Sequence, residues 1–426
     1  MLAILGLMTI VSMLFLVMAK KSSPIVALIL VPVIAAVFAG KRLEIFEFIT
    51  QGIVSIAPTG VMFIFAILFF GILTDSGTFQ PIINVILKLA GNDPAKVALG
   101  SAILAMVSHL DGSGASTFLI AVPAFLPVYD KLKMQRSTLA CIVALAAGTM
   151  NILPWGGPTI RAASSLEISV TELFNPMLIP VVFGLITVLV IAYFLGMKER
   201  RPKTSNIRTE ASSLPMTGVE IPRLFWFNIL LILTTVGILV SGLVAPHIIF
   251  MLSFAIAISI NYPNVKEQGE RINGHSKAVV LMVSILFAAG CFIGIMKGSG
   301  MIEAMAEAAV VHIPDWMGHH LPVYVGLASM PASLLFDPDS FYFGILPVLS
   351  STFNHFGGEA IEVGRAAILG QMTTGFPVSP LTGATFLLVG LTGVDLGSHQ
   401  KKTIPYAFLV SVVILIFSII IGAITV

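Results

Sequence analysis

Long stretches of this chain carry no Asp, Glu, Lys or Arg. Such runs occupy 1–19, 22–40, 48–74, 112–129, 137–160, 173–197, 224–265, 278–296, 316–336, 340–358, 366–394 and 403–426. A helix needs roughly 20 apolar residues to cross a hydrocarbon core of about 30 Å. Only helices and closed barrels satisfy every backbone polar group inside that core. The runs therefore predict an all-α polytopic membrane protein. Only 10% of the residues are charged, with a net charge of +2, whereas a soluble chain is about a quarter charged. That excludes a soluble enzyme and a disordered chain, and no basic face exists for nucleic acid. Cys141 and Cys291 both lie in apolar runs and report no disulfide framework. Residues 1–19 lack a basic leader and run into Lys20 and Lys21, so they read as a first span rather than a cleaved signal.

Two places interrupt the pattern. The apolar segments 94–110 and 112–129 are separated at Asp111-Gly112-Ser113-Gly114, and 316–336 and 340–358 at Asp337-Pro338-Asp339. Short segments joined by Gly, Pro and acid fit re-entrant hairpins, over 94–130 and 321–357, better than pairs of crossings. With both hairpins counted as zero crossings, 18 of the 23 Lys and Arg fall on one side, which the positive-inside rule makes the cytoplasm. From Gly298 to Gly364 there is no Lys or Arg. The first hairpin then enters from the cytoplasm and the second from outside, giving ten crossings with both termini outside, in the plasma membrane.

The chain also repeats itself. Gly-Ile-Leu-Thr-Asp-Ser-Gly at 71–77 matches Gly-Ile-Met-Lys-Gly-Ser-Gly at 294–300, an offset of 223. Pro154 and Thr159 pair with Pro377 and Thr382 at the same offset, and Pro123 with Pro347 at 224. An odd number of crossings per half inverts the second copy. The expected organisation is an N-terminal repeat 1–197, a polar cytoplasmic linker 198–222 and an inverted C-terminal repeat 223–426. Inverted repeats with broken helices are a transporter architecture that places substrate near the midplane.

Chemistry belongs where backbone breaks inside the membrane, because irregular backbone is tolerated there only when buried in protein or lining a wet cavity. Four breaks stand out: the first tip 111–117, the segment 151–159, the second tip 337–340 and the segment 373–385. They combine the glycines Gly114, Gly156, Gly157 and Gly383 with Ser113, Ser116, Thr117, Asn151, Thr159, Ser340, Thr374, Ser379 and Thr382. Helices restarting after Ser116 and Thr159 offer free N–H groups and positive dipole ends to an anion. Trp155, inside a break, is placed to wall a pocket.

Three acids sit at membrane depth. Asp111, Asp337 and Asp339 either carry protons or ligate a hard cation, or they cap the hairpin helices; for Asp339 a cap on the helix starting near Ser340 is the plainer alternative. Arg161 either clamps a carboxylate with its planar fork or pairs with Glu167 at an outer rim. Arg365 reads as a rim ion pair with Glu359 and Glu362. His109 either relays protons at the first tip or packs there. His312, His319, His320 and His355 lie outside the membrane without metal-ligand spacing. No nucleophile–base pair or clustered histidine motif lies at membrane depth, so an enzyme is not expected.

Asp-Gly-Ser-Gly-Ala-Ser-Thr at 111–117, Asn-Ile-Leu-Pro-Trp-Gly-Gly-Pro-Thr-Ile-Arg-Ala-Ala-Ser at 151–164, Phe-Asp-Pro-Asp-Ser-Phe-Tyr-Phe at 336–343 and Gly-Val-Asp-Leu-Gly-Ser-His-Gln at 393–400 closely resemble the citrate–metal–proton symporter family, CitMHS. The resemblance spans nearly the whole chain. It implies uptake of citrate, or a related tricarboxylate, complexed to a divalent metal such as Mg2+ or Ca2+, driven by protons, by an elevator-type homodimer in the bilayer, with no permanently bound cofactor. Substrate contacts carried over are Ser113, Ser116, Thr117, Asn151, Thr159, Ser340, Thr374, Ser379 and Thr382. Asp111 and Asp337 are candidates to touch the co-transported metal. Family members often read Asp-Gly-Asp-Gly at the first tip, where this chain has Ser113 at the second acid. A proton- or sodium-coupled carrier of a free di- or tricarboxylate or sugar acid would show similar breaks, and an anion channel would lack proton-driven accumulation.

Overall fold

The computed structural model describes residues 1–19, 21–200 and 221–425, and every regular element among them is a helix. Of the expected linker 198–222, residues 201–220 lie outside the described residues. The first half runs through Leu2–Met18, Pro24–Phe38, the long Ile45–Asp75, the short Gln80–Ala90 and a hairpin of Pro94–Ser108 and Gly114–Lys131. It continues with a helix broken between Arg136–Met150 and Gly157–Ser165, then Leu178–Lys198. The second half repeats that order with Phe225–Ser241, Pro246–Asn261, the long Val265–Gly298, the short Met301–Val310 and a hairpin of Leu321–Ala332 and Leu346–His355. A helix broken between Ala360–Ala367 and Gly383–Thr392 and the long Leu396–Ile420 complete it.

Local chemistry sets several of these boundaries. Asp93 accepts from Ala95 N at 2.8 Å ahead of a proline at the first helical position, which starts the first hairpin. Asn264 and Asp395 cap Val265–Gly298 and Leu396–Ile420 in the same way. Each such cap stabilises its helix by about 1 kcal/mol. The apolar run 224–265, long enough for two crossings, divides into two helices, the second opened by Pro246. A proline is favoured at a helix start, where its missing N–H costs nothing. The two short helices Gln80–Ala90 and Met301–Val310 are additions that the run pattern does not mark.

The two long helices pack against each other in antiparallel register. Gly52 lies against Gly290 and Gly294, Gly60 against Phe287, and Gly71 against His275. At Gly52 a Cβ would stand 2.0 Å from the Gly290 carbonyl oxygen, so the backbones approach as only glycine allows. An aromatic cluster locks the first break onto the long helix Ile45–Asp75 and onto Pro246–Asn261. Phe70 lies 5.2 Å from Trp155, and Trp155 lies 5.9 Å from Phe250, ring centre to ring centre. Offset and edge-to-face contacts of this kind add about 0.5–1.5 kcal/mol each beyond burial.

Candidate functional site

The four breaks predicted from sequence meet one another in the folded chain. The first tip joins the first broken helix through Trp155, whose indole Nε1–H donates to Leu110 O at 2.8 Å. The two broken helices join through Asn151, whose Nδ2 donates to Met372 O at 2.8 Å. The second tip joins the second broken helix through Tyr342, whose hydroxyl donates to Gln371 O at 2.7 Å, and through Gln371 Nε2, which donates back to Phe336 O at 3.3 Å. The second tip also reaches the first broken helix. Arg161 Nε donates to Asp339 Oδ1 at 2.7 Å, in an ion pair whose side chains are 11% and 9% exposed.

Each tip is organised by an acid. Asp111 Oδ1 accepts from Ser113 N at 2.8 Å, and Ser113 Oγ in turn accepts from Ser116 N to cap Gly114–Lys131. Asp337 Oδ1 accepts from Asp339 N and Ser340 N at 3.1 and 3.0 Å, and its Oδ2 accepts from Ser340 Oγ at 2.5 Å. The acid that caps the second tip is therefore Asp337 rather than Asp339, because two N–H groups of the turn point back at it. Asp339 is left free to pair across the site. The chain restarts at Ser340 as a π-helical turn, Ser340–Ile345, before Leu346–His355; such turns are frequent at functional sites.

The hydroxyls of the broken helices are engaged with backbone that the breaks leave unpaired. Thr159 donates to Ile152 O at 2.8 Å, and its repeat partner Thr382 donates to Phe376 O at 2.9 Å. Ser379 donates to Ser333 O at 2.5 Å, and Thr374 donates to Leu369 O at 3.3 Å. Buried carbonyls without partners cost roughly 1–3 kcal/mol each, so these bonds hold the breaks open as fixed shapes. Gly156 precedes the restart and packs against Asn151 O, Gly157 lies beside the Arg161 guanidinium, and Gly383 opens the second restart in open space. Met372 has φ of +52°, in the left-handed region, and is held there by Asn151 and by Ser333, whose Oγ accepts from Met372 N at 2.8 Å. A non-glycine residue there costs about 1–2 kcal/mol, strain that the two side chains offset. Neither Met372 nor Ser333 carries a sequence signal, since backbone strain is invisible in composition.

The first tip borders a cavity of about 380 Å³. It is lined by Asp111, Ser113, Gly114 and Ser116 of the tip, by Trp155 of the first break, and by His275 of the long helix Val265–Gly298. Thr117 is fully buried, with its hydroxyl 2.8 Å from His109 Nδ1. His109 is itself 1% exposed, and its Nε2 lies 3.4 Å from Asn151 Oδ1, so it packs between hairpin and break.

Three sequence expectations are corrected here. Glu167 does not pair with Arg161; it pairs with Lys297, because Arg161 turns inward to the second tip. Asp339 is not the cap, as described above. Arg365 makes no ion pair with Glu359 or Glu362; it donates to Ala423 O and Glu172 O at 3.0 and 3.1 Å, while Glu362 accepts from Thr425. Asp111 and Asp337 cap separate tips, and among the described residues no three His, Cys, Asp or Glu side chains gather as a metal cluster.

The family model described as citrate transporter, CitMHS, matches residues 13–375. The chain belongs to this family. Similar proteins from Bacillus subtilis (strain 168) include one named citrate transporter, 43% identical over 427 residues with all of both chains covered. Another, named Mg(2+)/citrate complex secondary transporter, is 40% identical over 433 residues, again with full coverage of both. Family and relatives are transporters, not enzymes, and the apolar helices make this member of the family a multi-pass membrane protein. The fold is similar to the YdaH transporter of Alcanivorax borkumensis, with a TM-score of 0.64 at 14% identity over 90% of this chain and 88% of that one. It is equally similar to MtrF of Neisseria gonorrhoeae, with a TM-score of 0.64 at 14% identity over 92% and 86%.

Proposed function

We propose that this member of the citrate transporter family is a secondary active transporter that imports citrate as a divalent metal complex, with protons as the driving ion. The observation that carries this reading is the convergence of both tips and both broken helices on one another, beside a cavity lined by Ser113, Ser116 and Asp111. The relative named for a Mg(2+)/citrate complex makes Mg2+ the first metal to try. Free citrate is trivalent at neutral pH, and desolvating three charges near the midplane is costly. A divalent metal cancels most of that charge before the substrate leaves water. The complex then presents carboxylates to the tip N–H groups and hydroxyls, and a hydrated cation to the oxygens of Asp111 or Asp337.

Protonation of one of those acids supplies the coupling. In the proposed cycle the repeats are inverted, an arrangement supported by the repeated helix order and the antiparallel long helices. Both termini lie outside the plasma membrane and the first tip faces the cytoplasm. The hairpins and broken helices move together as an elevator against a scaffold that includes residues 1–74 and 224–296, which also forms the homodimer surface. Counterflow of labelled citrate in proteoliposomes tests the reading. Exchange should require a divalent metal, and imposing an inward pH gradient should drive accumulation. Metal-independent exchange would reassign the substrate to free carboxylate, and exchange without proton-driven accumulation would remove the symport.

A further inference from the structure

We infer that His275, seated by Gly71 and oriented by Asp75, forms a second carboxylate contact in the cavity that the first tip borders. It would hold the citrate complex only while the cavity is open. This inference rests on the proposed citrate transport.

Three observations place it. First, His275 belongs to the scaffold helix Val265–Gly298, yet its ring forms part of the same cavity wall set as Ser113 and Ser116 of the tip. Second, the ring lies flat on Gly71, where an added Cβ would stand 2.7–2.8 Å from Cε1, Nδ1 and Nε2. Any other residue at 71 would displace the imidazole. Third, Asp75, one turn further along the helix Ile45–Asp75, lies 3.2 Å from His275 Nε2. A carboxylate on one ring nitrogen fixes the ring orientation, while the other nitrogen, Nδ1, has no partner among the described residues. As an imidazolium, that nitrogen donates to a carboxylate oxygen in a charge-assisted bond.

The surrounding charges suit an anion that is held and then released. Arg271 lies one turn outward on the same helix, 3.7 Å from Asp75 Oδ2, with its guanidinium over the Tyr262 ring at 4.9 Å. Asp111 faces His275 from the tip, and Asp75 faces it from the neighbouring helix. Arg271 and His275 thus set two nitrogen-bearing side chains one turn apart, on a scaffold that the transported group leaves behind when the hairpins move. The tip hydroxyls travel with the substrate in that cycle and His275 does not, so its effect must be confined to one face of the membrane.

That one-sidedness is the test. Initial rates of Mg2+–citrate transport are compared in inside-out and right-side-out vesicles carrying wild type, His275→Ala and Gly71→Ala. The half-saturating citrate concentration on the cavity side should rise about tenfold or more for His275→Ala, the size expected for one charge-assisted hydrogen bond. On the opposite face it should change less than twofold. Gly71→Ala should reproduce the one-sided defect although the histidine is retained, which covers the case in which His275→Ala fails to insert. Equal shifts on both faces, or lowered maximal rates at unchanged half-saturation, would mean that Asp75, Arg271 and His275 only tie two helix ends together, and would overturn the inference. Failure of the wild type to move citrate would instead overturn the transport reading beneath it.

Discussion

The two hairpin tips are built on the same plan and stand in different states. In the first, Asp111 organises a single N–H, and Ser113 and Ser116 border a cavity of about 380 Å³. In the second, Asp337 gathers two N–H groups and a hydroxyl, and Asp339 is sealed against Arg161. A small cavity of about 10 Å³ lies beside Arg161, between Phe63, Leu286 and Phe343, room for about one water molecule. The repeat positions explain the contrast. Ser113 sits two residues after Asp111 as Asp339 sits two after Asp337, and the offset of 223 that pairs Thr159 with Thr382 pairs Arg161 with Ala384. One tip therefore has a charged latch and the other has a serine facing an alanine-bearing helix. The two tips are thus unlike in sequence as well as in packing.

The largest effect expected from breaking this contrast is at the latch. Arg161→Ala leaves Asp339 buried and uncompensated, which should destabilise the protein by about 3–5 kcal/mol. Thermal unfolding in detergent should show that loss, and Arg161→Ala combined with Asp339→Ala should recover most of it. A double variant no more stable than the single would mean that the pair is not a coupled latch. Arg161→Lys tests geometry, since an ammonium cannot reproduce the guanidinium Nε contact; it should open the second tip to thiol labelling at Ser340→Cys.

The next effect separates the two capping acids. Asp337→Ala removes three accepted hydrogen bonds and Asp111→Ala removes one. At about 1.5–3 kcal/mol for a bond to a charged group, the second tip should lose clearly more stability. Function should sort the other way. Asp111→Asn at a proton carrier abolishes accumulation driven by a pH gradient but spares citrate–citrate exchange. Normal accumulation in both Asp111→Asn and Asp337→Asn would remove both from coupling.

Much of this arrangement was legible in the sequence, for identifiable reasons. Gly, Pro and hydroxyl residues cluster within the charge-free runs at the segments where the helices break, so the four segments stood out. The motif at 151–164 and its companions were specific enough to indicate the family. What stayed hidden were pairings set by tertiary geometry. Arg161 and Asp339 are separated by 178 residues, and Glu167, six residues from Arg161, was the nearer candidate in sequence. The choice between Asp337 and Asp339 as cap depended on the direction of two N–H groups. His275 lay between the charge-free runs 224–265 and 278–296, and the long helix Val265–Gly298 carries it into the cavity wall. Gln80–Ala90 was missed because its amphipathic pattern is interrupted by Lys88, which breaks a run defined by charge.

The smallest effect concerns the tether of the first tip. Trp155→Phe keeps the aromatic packing on Phe70 and Phe250 but deletes the indole bond to Leu110. A loss of about 1 kcal/mol is expected, with a severalfold faster labelling of the first tip and an intact second tip. Equal loosening of both tips would show that the tips are not mechanically separate.

The most direct test of the central claim, that the substrate is held at the first tip in this state, is protection of that tip by substrate. Cys141 and Cys291 are both buried, so Ser113→Cys in a background with both replaced gives a single reporter. An impermeant thiol reagent applied from the cytoplasmic face should modify it, and citrate together with Mg2+ should slow the modification at least tenfold, with citrate or Mg2+ alone having little effect. Modification that proceeds at the same rate with and without the complex would contradict the assignment of the site to the converging breaks.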